Sequence, residues 1–227
     1  MTDNYGFGYQ KRRQGNLDML DGTETFRDGF QKMVNSWTVS IPETISIVKK
    51  HIKLDPHFHD FARWAKINSV PIVVLSAGMA PIIRALLDEF LGELASNIEI
   101  VANDVQPIPP LNDPAKAGGF TIKYHDESDF GHDKSRTIRS YTASVATVAD
   151  GKRGPILLYA GDGVSDVSAA KETDLLFAKA GRDLITYCQR EGIPFTIFED
   201  WAFILEKTQE IFAGRVKTET VAEETLD

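Results

Sequence analysis

Two aspartates four positions apart, Asp162 and Asp166, stand in LLYAGDGVSDVSAAK, directly after a run of large apolar residues. Two carboxylates at one strand end repel each other unless positive charge sits between them. Hard oxygen donors of this kind suit Mg²⁺, which keeps several waters and takes few protein carboxylates plus a substrate phosphate. The plainer alternative is an Asp-Gly turn followed by an N-cap pair. In FGHDKSRTIRSY, Lys134 falls in or near the first turn of a helix, where a cation opposes the helix dipole. Negative charge close by would offset it, and a phosphoryl group in its transition state is one source; otherwise Lys134 is a solvent-facing lysine. In VVLSAGMAP, Ser76 leaves an apolar run and Ala77-Gly78-Met79 turns into a helix opened by Pro81. A hydroxyl with the backbone N–H groups of Ala77 and Gly78 at a helix start makes an anion seat. A nucleophilic serine would need G-x-S-x-G, but position 74 is valine and no strand-end histidine and acid complete a triad. Ser76 therefore reads as a phosphate ligand, with an N-cap hydroxyl as the alternative.

The elements that must hold these residues are alternating strands and helices. Strands are expected at PIVVLS (71–76), IEIVANDV (98–105), GFTIKYH (119–125), PILLYAGDG (155–163), LLFA and FTIFED, from their β-branched or apolar runs between turn residues. Helices are expected from an Asp55-Pro56 N-cap to about Ile67, from Pro81 through IIRALLDEFLG, after GDGVSD, and from about Trp201 to Phe212. This alternation implies a mainly parallel sheet covered on both faces, with ligands bound beyond the carboxyl ends of the strands. Residues 1–53 have helical apolar spacing and no convincing strand, and read as a small helical cap. Residues 54–213 read as the α/β core, and the acidic tail 214–227 as disordered.

Composition narrows the partners. With 25 basic against 33 acidic residues and a net charge of −8, a broad nucleic-acid surface is not expected, while one small phosphate in a local pocket is. No run approaches the roughly 18 to 20 apolar residues of a membrane helix, and MTDNYGFGYQKRRQG holds no apolar signal-peptide core, so a cytoplasmic, soluble protein without a membrane partner is expected. Cys188 is the only cysteine, which excludes an intrachain disulfide and leaves a packed thiol. His57 and His59, two apart on a helix, do not share a face and are read as surface histidines. Lys11, Arg12 and Arg13 are read as a solvated helix face, and Trp37, Trp64 and Trp201 as packing residues. Oligomeric state is not readable.

LSAGM, GHDKS and GDGVSD, in that order at strand ends, resemble motifs II, III and IV of the haloacid dehalogenase superfamily, nearest to its phosphoserine phosphatase branch and to 2,3-diketo-5-methylthio-1-phosphopentane phosphatase-like fungal and bacterial proteins. The resemblance spans nearly the whole chain and implies a Rossmann-like core with a small helical cap and an Mg²⁺-dependent phosphomonoesterase acting on a small phosphorylated metabolite. It implies that Ser76 binds phosphate, Lys134 stabilises its charge, Asp162 ligates Mg²⁺ and Asp166 supports the metal shell. Members of this family begin with an apolar strand running into D-x-D-G-T, whose first Asp is the nucleophile and whose second is the general acid and base. Here the one DGT is Asp21-Gly22-Thr23, Asp18 lies three residues before Asp21, and the residues ahead of it are polar and basic. The expectation is a core lacking its first, central strand, a chain begun at an internal methionine, and little activity from residues 1–227 alone. The alternative is a non-catalytic phosphate-binding or regulatory protein.

Overall fold

The computed structural model describes residues 1–146 and 155–223. By its internal contacts the chain forms two compact units, Met1–Leu54 with Ala65–His132, and Asp55–Trp64 with Asp133–Asp227.

The first unit opens with four helices, α1 (Thr2–Tyr5), α2 (Tyr9–Leu20), α3 (Phe26–Asn35) and α4 (Ile41–His51). Thr25 caps α3 by accepting from the Asp28 N–H. Ser40 and Glu43 form a reciprocal capping box on α4, with a proline inside the first turn. After α5 (Phe58–Ile67), which begins in the second unit, come β1 (Ile72–Met79), α6 (Ala80–Leu91), β2 (Ile98–Pro107) and β3 (Phe120–Lys123). β1 and β2 run parallel and β3 returns antiparallel to β2. The helices of residues 1–54 group with this sheet because α3 and α4 bury Val34 and Ile41 in one cluster with Met79, Phe120 and Ile122. That contact division differs from the boundary at residue 53 expected from the composition shift.

In the second unit β4 (Leu158–Gly161), β5 (Leu175–Lys179) and β6 (Thr196–Phe198) form a parallel sheet in that order. It carries α7 (Lys134–Ala146), α8 (Asp183–Glu191), α9 (Trp201–Phe212) and α10 (Thr218–Glu223). β5 is the central strand, with Leu175 to Ala178 all buried, and Leu176 and Ala178 pack on Leu184, Cys188 and Phe195. Cys188 is a buried free thiol, as expected. Trp201 packs against Phe58 and Phe61, with ring centroids 4.6 and 4.8 Å away.

Both sheets have an open side. Among the described residues β1 pairs with β2 alone and β4 with β5 alone. Val73, Val74 and Leu75 on β1, and every residue of β4, are only half-buried, whereas strands of parallel sheets are ordinarily covered on both faces.

Three expectations need correcting. Asp55 does not cap α5: the helix starts at Phe58, and Asp55 instead takes the Lys179 ammonium at 2.5 Å, a partner 124 positions away. GDGVSD ends in a single 3₁₀ turn, Val164–Asp166, and no α-helix follows it before β5; the Asp166 side chain folds back onto the backbone N–H groups of Asp162 and Gly163. The tail is ordered over α10: Val221 is fully buried and its carbonyl accepts from the Thr196 hydroxyl at 2.7 Å. One well-placed valine anchors a segment whose composition is otherwise that of a solvated tail. The last tail residues, 224–227, lie outside the described residues. Truncating Val221 to alanine should lower stability by about 1–3 kcal/mol in urea unfolding; an unchanged midpoint would return residues 218–223 to a disordered tail.

Candidate active site

β4 ends at Gly161 and delivers the two aspartates. A Cβ at Gly161 would lie 2.7 Å from the Asp166 carboxyl carbon, so only glycine lets that carboxylate lie against the strand end. Asp166 Oδ2 accepts from the backbone N–H groups of Asp162 (2.8 Å) and Gly163 (3.0 Å). Its Oδ1 accepts from the Tyr159 hydroxyl (2.6 Å) and from Lys134 Nζ (2.5 Å). Lys134 stands in the first turn of α7, with 4% of its side chain exposed, and also donates to Ser165 Oγ at 3.3 Å. The negative charge expected beside this lysine is therefore provided by the protein's own Asp166. An ammonium has three donors, and no third hydrogen-bond acceptor for Lys134 is present among the described residues.

The electrostatics follow from this packing. Burial alone would push the Asp166 carboxyl up, but the Lys134 charge and hydrogen bond, with those of Tyr159 and Gly163, outweigh it and hold the group below the ordinary 3.8. Burial, then the Asp166 charge, pushes the Tyr159 phenol well above its ordinary 10.0, so it remains a donor across the working pH range. Asp162 lies at the solvent-open side, yet its carboxyl is partly desolvated. That desolvation, followed by the charge of Asp166, raises it from 3.8, while Arg182 and Lys134 pull it down. Asp162, Asp166 and Lys134 together carry one net negative charge at neutral pH.

This arrangement separates the two aspartates. The Asp162 carboxylate has no hydrogen-bond partner among the described residues and can take a cation directly. Asp166 has four donors on its two oxygens and could ligate a metal only by giving one up, so its occupation is to hold Lys134 and the 162–163 turn. No group of three or more potential ligands is preassembled among the described residues. One free carboxylate fits Mg²⁺, which takes few protein ligands and completes its octahedron with water and phosphate oxygens. Tyr159 was missed by sequence reading; its signal was a phenol in an otherwise apolar strand, two residues before the first aspartate's glycine.

Ser76, Ala77 and Gly78 belong to the first unit. The β1–β2 register runs from Ile72↔Ile98 to Ser76↔Ala102 and resumes at Met79↔Asn103, so Ala77 and Gly78 are extra residues bulged out of the strand just before α6. The Gly78 N–H donates to Ser76 Oγ at 3.0 Å. Asp18 and Asp21 sit at the end of α2, where Asp21 is the C-cap and Gly22 turns with φ 73°; no described strand leads into them. His57 and His59 engage Asp60 and Arg63, and Arg12 pairs with Asp3, so none of these joins a site.

The haloacid dehalogenase-like hydrolase family model matches residues 7–171. The chain belongs to that family. Among curated relatives, Pdp3-interacting factor 1 of Schizosaccharomyces pombe is 48% identical over 213 residues, covering 93% of this chain and 88% of the relative. Polyol phosphate phosphatase PYP1 of Saccharomyces cerevisiae is 45% identical over 225 residues, covering 98% and 89%. Among solved structures, a phospho-aspartyl intermediate analogue of phosphoserine phosphatase superposes with TM-score 0.60 at 16% identity, covering 87% of this chain and 85% of that one, which shows the family's fold. The matched span includes GHDKS and GDGVSD, whose Lys134 and Asp166 are in direct contact. No helix among the described residues is long and apolar enough to cross a membrane.

Because the folded Asp166 carboxyl is held below 3.8, its contribution to stability is fully present above that value and is lost as pH falls through the depressed one. Urea unfolding across pH 2–6 should show this loss in the wild type and not in Asp166→Asn. Parallel curves for the two proteins would mean that the carboxylate gains nothing from Lys134.

Proposed function

We propose that the chain is the scaffold of an Mg²⁺-dependent phosphomonoesterase acting on a small phosphate ester, with polyol phosphates as the first class to examine. The observation that carries this is the strand end after β4, where a buried ammonium is fixed by one carboxylate beside a second carboxylate left free. Membership of the hydrolase family and the 45% identical polyol phosphate phosphatase support the reaction and the substrate class. Bound at Asp162, Mg²⁺ would neutralise negative charge on the phosphoryl oxygens. Lys134, with a donor to spare, hydrogen-bonds a phosphoryl oxygen and offsets charge gained on the way to the transition state. Asp166 holds the Lys134 ammonium in place. Ser76 Oγ and the N–H groups of Ala77 and Gly78 are also assigned to phosphate binding, the Gly78 N–H being shared with Ser76 Oγ. The nucleophile is assigned to an aspartate of a D-x-D-G-T strand that is not found among the described residues: the one DGT closes a helix, and among the described residues β1 and β4 each keep an open edge at which a strand could pair. Catalysis is thus assigned to a form carrying an apolar strand that ends in D-x-D-G-T.

A second reading, a non-catalytic interaction protein that keeps the phosphate site, is favoured by the relative named as an interacting factor. The two separate on p-nitrophenyl phosphate hydrolysis. With such a strand supplied, turnover should appear, stop in EDTA, and fall about 100-fold or more in Lys134→Ala and Asp162→Asn. Turnover undiminished in either variant contradicts the residue roles, and a folded, strand-complete protein without turnover supports the second reading.

A further inference from the structure

Two wholly buried polar side chains that the phosphatase mechanism does not use lie against the Ser76–Gly78 bulge. Asn103, on β2, and His132, two positions before Lys134, are each 0% exposed. Asn103 Nδ2 donates to the Ala77 carbonyl at 2.7 Å, and its Oδ1 accepts the His125 N–H at 2.9 Å, so both ends of the amide are fixed by the chemistry of their partners. His132 Nδ1 lies 2.9 Å from the Ser76 carbonyl. A carbonyl oxygen can only accept, so Nδ1 carries the proton. The His125 and His132 rings are in contact at 4.5 Å between centroids, tying the two bonds into one network within the first unit.

The consequence lies on the other side of each peptide. A trans peptide points its C=O and the next residue's N–H in opposite directions. By holding the Ser76 carbonyl, His132 sets the direction of the Ala77 N–H; by holding the Ala77 carbonyl, Asn103 sets that of the Gly78 N–H. Gly78 N–H accordingly points to Ser76 Oγ, on the side away from Asn103. A bulge of two small residues has little of its own to resist a peptide flip, and a flip would present a carbonyl oxygen where the anion is to sit. Burying two polar side chains is worthwhile only when their hydrogen bonds are satisfied, as these are.

We propose that Asn103 and His132 are positioning residues that hold the Ala77 and Gly78 N–H groups in the orientation that receives phosphate. This rests on the assignment of Ser76–Gly78 as the anion seat, and the test separates the two. Inorganic phosphate is titrated into the full chain, following the backbone amide signals of Ala77 and Gly78 by NMR and checking each variant's fold by circular dichroism. Wild type should bind with shifts at both amides. His132→Leu and Asn103→Asp, the latter facing the Ala77 carbonyl with an oxygen, should each weaken binding about tenfold or more and lose the shift at the amide it controls. His132→Asn, which restores a donor near the Nδ1 position, should recover most of both, a rescue that a merely space-filling role would not produce. Wild-type affinity and shifts in His132→Leu and Asn103→Asp overturn the positioning role while leaving the seat intact. Absence of phosphate-dependent shifts at Ala77 and Gly78 in the wild type overturns the seat and the positioning role with it.

Discussion

The buried ion pair between Lys134 and Asp166 is the constraint on which the strand-end site depends. An ammonium with 4% of its side chain exposed and a carboxylate with 7% must each be compensated, since a lone buried charge costs several kcal/mol. Lys134 cannot leave Asp166 without stranding it, and Asp166 is itself pinned by Tyr159 and by two backbone N–H groups. The pair therefore ties the first turn of α7 to the end of β4. It also explains Gly161, where any side chain would collide with the carboxylate.

From this pair follows the division of labour between the aspartates. The one that is buried and saturated fixes the position of the lysine. The one that is open, raised in pKa and unpartnered among the described residues is the one to which the cation is assigned in the proposed mechanism. Spacing alone made Asp162 and Asp166 look equivalent; burial distinguishes them. The same logic acts in the first unit, where buried Asn103 and His132 fix a turn whose own residues are too small to fix themselves.

Much of the fold was legible in the sequence because local signals decide it. β-branched runs gave β1 and β2, and α9 begins and ends at the residues expected. Lys134 was placed at a helix start from the loop before it. What was not legible was set at long range. Asp55 reads locally as a cap, but Lys179 reaches it from β5. Nothing near Tyr159 announces that its hydroxyl meets Asp166, and nothing near Val221 announces that Thr196 lies against it. The charge beside Lys134 was inferred correctly in sign, yet its source, 32 positions away, could come only from the fold.

The coupling between Lys134 and Asp166 is measured directly by a double-mutant cycle in urea unfolding. Lys134→Met and Asp166→Leu alone should each cost about 3–5 kcal/mol, and the double variant much less than their sum, giving a coupling of about 2 kcal/mol or more. Additive losses would contradict the account, because the two groups would then not depend on each other for their burial.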